Sequence, residues 1–198
     1  VSKERSLSAP SELPKRADAR KNREKLIEIA ALAFSEQGST ASLEDIARRA
    51  GVGIGTLYRH FPTREHLVEM VYRRELEILA TAATELLAEK RADLALEEWM
   101  HCFVSYMAAK RGMASSLKLL FTSNSTLFTE GSTLLHQTFN RLITAAVETG
   151  LIKSDIIADD VLNALFGIYS IPEGPDWRDR ADRLVRLVMD GLRAPSTA

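Results

Sequence analysis

With 198 residues, 45% hydrophobic and 27% charged, the chain can bury a core and is too apolar to remain disordered. No apolar run approaches the roughly 18 residues of a membrane span, and the polar N-terminus does not read as a secretory signal, so a cytoplasmic protein is expected. The single cysteine, Cys102, excludes an intrachain disulfide and zinc sites of the usual Cys/His spacing, while a net charge of −1 excludes a uniformly basic surface.

Residues 1–17, with several Ser and Pro and no helical period, read as a flexible arm. Leu26, Ile27, Ala30, Ala31, Ala33 and Phe34 then recur at helical spacing, predicting a first helix that ends at Gly38. Charge is concentrated at this end: residues 1–74 hold 14 Lys and Arg against 10 Asp and Glu, and residues 75–198 hold 12 against 17. Lys15, Arg16, Arg20, Lys21, Arg23 and Lys25 precede or open the first helix, where cations oppose its dipole. A phosphate partner accounts for them more economically than helix stability does, with Arg20 and Lys21 as expected contacts. A merely solvated basic tail is the plainer alternative.

Leu43, Ile46, Ala47 and Ala50 line one face of a short second helix, with Ser42 as N-cap and Asp45 three residues on, as in a capping box. Gly51 stands where a left-handed residue ends a helix. A third helix follows from Ile54 to Phe61, so two short helices are joined by a glycine turn, the arrangement in which the second helix enters the major groove of DNA. Gly53 and Gly55 each cost roughly 1 kcal/mol against Ala inside a helix, which suggests that something approaches the backbone closely there. Thr56, Tyr58, Arg59 and His60 supply donors suited to DNA backbone oxygens, and Ser42 and Arg64 flank them. Tyr58 and His60 are expected to grip phosphates, whereas Ile54 could meet a thymine methyl and Arg59 either a guanine or a phosphate. Leu57 and Phe61 anchor the helix to its own domain, and Thr63 caps a fourth helix that runs well past Leu76.

Leu57-Tyr58-Arg59-His60-Phe61, preceded by Gly55-Thr56 and followed by a helix starting near Glu65-His66-Leu67-Val68, resembles the DNA-binding domain of TetR-family transcriptional regulators. The resemblance runs from about Arg23 to Tyr72, takes in Ile27, Ala30, Ala33, Phe34 and Gly38, and weakens beyond Glu85. It implies an all-α protein in which a helix-turn-helix domain, residues 18–66, precedes an effector-binding and dimerisation domain, residues 67–198.

The remaining sequence reads as helix over 94–110, 114–121, 126–149, 156–168 and 177–192, giving about nine helices and no strand. Trp99, Phe103, Tyr106 and Met107 share one helix face, and Phe121, Phe128 and Phe139 add apolar walls with His136 beside them. These residues are the expected lining of an effector cavity, although for any single one of them ordinary core is the plainer reading. His101 and Cys102 are neighbours and diverge by about 100 degrees on a helix, so they do not converge on a metal. No metal or other cofactor is expected.

Leu162, Leu165 and Phe166 on one late helix, and Leu184, Leu187 and Val188 on the other, form apolar faces broader than one small body needs. In the family the resemblance implies, such a pair packs on its two-fold mate as a four-helix bundle. A dimer would place two reading helices on a palindrome with half-sites about 34 Å apart or more.

The expected function is therefore a homodimeric DNA-binding regulator, most simply a repressor released from operator DNA by a small, largely apolar effector. A constitutive DNA binder without an effector and a helical adaptor dimer are the alternatives. No nucleophile, acid/base pair or phosphate-cradling glycine loop marks an enzyme.

Overall fold

The computed structural model describes residues 12–172 and 174–194. Among these, nine α-helices carry the fold and no strand forms beyond a single bridge between Ile152 and Arg193. No helix among them is long and apolar enough to cross a membrane.

Helix α1 spans Glu12–Gln37, so residues 12–17, expected in the flexible arm, belong to the helix; residues 1–11 lie outside the described residues. The reason is physical. Pro14 falls in the first turn, where its missing N–H forfeits no intrahelical bond. Residues 17–21 project into solvent and need no apolar period. Only from Leu26 onward does the helix bury a stripe, through Leu26, Ile27, Ala30, Ala33 and Phe34.

A 3₁₀ turn, Gly38–Thr40, leads to α2, Leu43–Ala50. The Ser42 hydroxyl accepts the Asp45 N–H at 3.0 Å, as an N-cap should, while the Asp45 carboxylate turns away to Gln37 and Arg48. Gly51 closes the helix at φ 74°, with its N–H bonded to Arg48 O and that of Val52 to Ala47 O, both at 3.0 Å. Helix α3, Ile54–His60, has only Leu57 on its buried side, and Phe61 pins its end into the core.

Thr63 accepts the His66 N–H and starts α4, Arg64–Glu89, whose 26 residues extend about 39 Å and join the three N-terminal helices to the rest of the molecule. Beyond it lie α5 (Ala92–Gly112), α6 (Ala114–Ser123), α7 (Ser125–Glu148), α8 (Ala158–Phe166) and α9 (Trp177–Leu192). The helix expected over 156–168 is split: Ile157 is extended and caps α8, and Gly167–Ser170 tightens into a 3₁₀ turn.

Helix α5 is the hub, packing against α1, α4, α7 and α9. Its contact with α1 is backbone on backbone. A Cβ on Gly112 would lie 2.0 Å from the carbonyl oxygen of Phe34, so only glycine lets the two helices approach this closely. Arg111, one residue earlier, donates to the carbonyls of Ile168 and Ile171 at 2.9 and 2.6 Å and to that of Tyr169, and it covers the Trp177 ring. One turn of α5 thereby holds both the first helix and the segment between α8 and α9.

Candidate functional site

The outward side of α3 carries the features of a contact surface. Ile54 and Tyr58 are 37% and 45% exposed, large values for an aliphatic and an aromatic side chain, and Gly53, Gly55 and Arg59 are exposed as well. Thr56 and His60 are half-buried at its margins. Gly53 and Gly55 decide how this face is read. Neither has a positive φ, and a Cβ on either would meet no atom within 4 Å, so nothing inside the subunit requires glycine at these positions. At both positions the backbone is open to approach from outside the chain.

Around this face the other expected contacts divide. Ser42 is exposed, and its hydroxyl keeps a proton to donate while its oxygen caps α2. Arg20 and Lys21 are exposed on α1, Arg20 in a loose 3.8 Å pair with Glu24 that such exposure makes nearly worthless to stability. Two of their basic neighbours have internal tasks that the sequence did not disclose. Arg23 lies 5.4 Å above the Phe61 ring, and the Lys25 ammonium stands 3.7 Å from where a Gly51 Cβ would be, at the carbonyl end of α2 where a cation is favoured. Arg64 departs from the expectation of a DNA contact. Its guanidinium donates to Ala41 O at 2.7 Å and covers the Phe34 ring at 5.0 Å, which clasps α4 to α1.

The expected cavity is filled. Trp99, Phe103, Tyr106, Met107 and Phe139 are each at most 2% exposed and pack on one another, with Trp99 5.8 Å from Phe103 and 5.4 Å from Phe139 between ring centres. The Trp99 indole N–H is spent on Leu79 O at 2.8 Å. These five residues line none of the principal clefts among the described residues. His136 is likewise committed, pairing through Nδ1 with Asp159 at 2.8 Å, and Phe128 is half exposed with an edge contact to Phe121. Helical spacing marked these aromatics as apolar, and close packing of the interior accounts for them.

Of that set, Phe121 borders a cleft. A cleft of about 400 Å³ lies between α5, α6 and the Gly167–Ser170 turn, bounded by Lys110, Leu117, Lys118, Phe121, Thr122 and Tyr169. Lys110 escaped the sequence reading, although its place four residues after Tyr106 puts both on one helix face. Its ammonium rests 5.7 Å from the Tyr106 ring centre and 5.6 Å from that of Phe166, and burial pulls its pKa below the usual lysine value. Behind it, burial pushes the Tyr106 phenol well above its ordinary range, helped by Tyr72 and by the charge of Glu75.

The late helices behave unevenly. Leu162 and Leu165 are sealed within their own subunit, at 0% and 1% exposure, so they offer no surface to a mate. Phe166, Leu184 and Val188 are half-buried, and Leu187 stands 67% exposed on α9. Of the six expected interface residues, the latter four keep accessible surface.

Comparison with known proteins agrees with this geometry. Residues 26–71 match the family described as bacterial regulatory proteins, tetR family, and residues 91–194 match the C-terminal domain described as transcriptional regulator SbtR-like. Among solved structures, the TetR transcriptional regulator SCO0520 from Streptomyces coelicolor is 44% identical, with a TM-score of 0.78 over 89% of this chain and 99% of that one. A TetR regulatory protein from Mycobacterium vanbaalenii is 32% identical, with a TM-score of 0.71 over 91% and 100%. An HTH-type transcriptional regulator of Staphylococcus aureus strain USA300 is 43% identical over 67 residues, and the match spans about a third of each, 33% of this chain and 36% of that protein. An outward reading helix on a three-helix unit, an all-helical body behind it and matches across both regions give one conclusion: the chain belongs to the TetR family of helix-turn-helix transcriptional regulators, not to a family of enzymes.

Proposed function

We propose that the protein is a homodimeric repressor that binds a palindromic operator through α3 and leaves it when a small molecule binds its C-terminal body. The observation that carries the DNA-binding part is the pair of glycines at Gly53 and Gly55, conformationally ordinary and facing open space beside exposed Ile54, Tyr58 and Arg59. A phosphate backbone or base edge approaching this helix would meet backbone rather than Cβ.

Regulation in this reading is a shift of population. A ligand that binds better to one relative placement of body and DNA-binding end weakens operator affinity by that difference and no more. Two links are in position to carry it: the continuous α4, and the contact of Gly112 with Phe34. A constitutive regulator without effector is the second reading, favoured by the tight packing of the aromatics around Trp99. The open cleft beside Lys110 speaks for the first.

The test is fluorescence anisotropy with duplex taken from upstream of the protein's own coding region, repeated across a salt series. Specific binding with a steep salt dependence is expected, and Arg59→Ala should lower the slope of log affinity against log salt by about two, one phosphate per subunit, if that guanidinium meets a phosphate. Affinity no greater than for scrambled duplex at every salt concentration would contradict the proposal.

A further inference from the structure

The cleft at the end of α5 has an unusual charge arrangement. Lysine is a costly residue to bury halfway, and such a lysine normally finds a carboxylate. Among the described residues Lys110 has neither an ion pair nor a hydrogen bond; it has only the faces of Tyr106 and Phe166. The described residues that bound the cleft include a second cation, Lys118, and no acidic side chain. Leu117, Phe121 and Tyr169 add apolar groups to the same lining. The volume, about 400 Å³, lies in the range of small-molecule sites, and an apolar wall with a single placed charge is how such sites fix orientation.

We infer that this cleft binds a small amphipathic anion, a carboxylate or comparable group on an apolar body, with the Lys110 ammonium as its counter-ion and Phe121 and Tyr169 against its apolar part. This names the effector class within the ligand-responsive reading above and rests on that reading for its regulatory meaning. It keeps the effector largely apolar but gives it a charged end, and moves it from the aromatic core to the core's edge. The position suits signalling: Lys110 in the cleft, Arg111 on the α8–α9 segment and Gly112 on the α1 backbone are consecutive.

The test is calorimetric titration of the full chain with three probes of equal length, decanoate, 1-decanol and decylamine, followed by anisotropy on operator duplex with each. Decanoate is expected to bind at least tenfold more tightly than the alcohol and the amine. Lys110→Met should remove that preference while leaving the alcohol's affinity unchanged, and Lys110→Arg, which keeps the charge, should retain most of it. Equal affinity for the three probes, a preference that survives in Lys110→Met, or no binding of decanoate would each overturn the inference. The regulatory reading fails separately: decanoate that binds through Lys110 but leaves operator affinity unaltered establishes the site and refutes its role in DNA release.

Discussion

Tyr58 on α3 and Tyr106 on α5 are the same side chain in opposite circumstances. Tyr58 is 45% exposed, and its hydroxyl has no partner among the described residues. Tyr106 is 2% exposed and enclosed by Tyr72, Phe103 and Lys110. The contrast extends to the regions around them. The reading helix keeps its donors and glycines free of internal duties, whereas the α5 interior has spent its aromatics on packing. A group without an internal task is available to a partner; one that is packed on every side already contributes to folding. On that criterion the cleft at Lys110 is the proposed ligand surface of the body in preference to the aromatic cluster beside it.

Four substitutions sharpen the contrast. The largest effect is expected at Leu187→Glu, which places a charge on the most exposed apolar position of α9; if α9 meets a mate, sedimentation should show monomers and affinity for a two-half-site duplex should fall by about a hundredfold, roughly 2.7 kcal/mol. Next is Gly112→Ala. With Phe34 backbone rather than a flexible side chain in the way, denaturant unfolding should report a loss of about 2–3 kcal/mol. Arg64→Ala removes a hydrogen bond to Ala41 O and a cation over Phe34, and should lower stability by about 1 kcal/mol while changing operator affinity of the folded protein little. The smallest effect has the least usual sign. Lys110→Met replaces an uncompensated, partly buried charge with a thioether of similar length, so the melting temperature should rise at neutral pH, a gain that shrinks as the pH climbs towards the lowered pKa of Lys110 and the wild-type lysine sheds its charge.

The two regions also differ in how far sequence reveals them. The capping of α2 by Ser42, the left-handed Gly51 and the start of α4 at Thr63 could be read directly, because caps and turns depend on the chemistry of one or two neighbouring residues. Exposed polar residues on α3 were equally legible, since an outward face needs no knowledge of what lies behind it. The first turns of α1 were not, because a solvated helix shows no apolar stripe. Nor could periodicity distinguish Leu162, sealed in its own subunit, from Leu187, left open, or separate a packed Phe139 from a cleft-lining Phe121. Apolar spacing identifies a buried-type face; which body covers it depends on tertiary packing. Arg64 and Lys25 illustrate the same point for charge: at a helix entry each looked like, or lay among, phosphate seekers, yet each stands against its own chain.

The most direct test concerns the glycines of the reading helix. Gly55→Ala introduces a Cβ into space that is open in the isolated subunit, and alanine favours helix by up to about 1 kcal/mol over glycine. Unfolding and operator binding should be measured on the same preparation. The account predicts a variant at least as stable as the wild type, with operator affinity reduced about tenfold; unchanged affinity in a folded, equally stable variant would show that nothing approaches this face of α3, and would contradict the assignment of the DNA-binding surface.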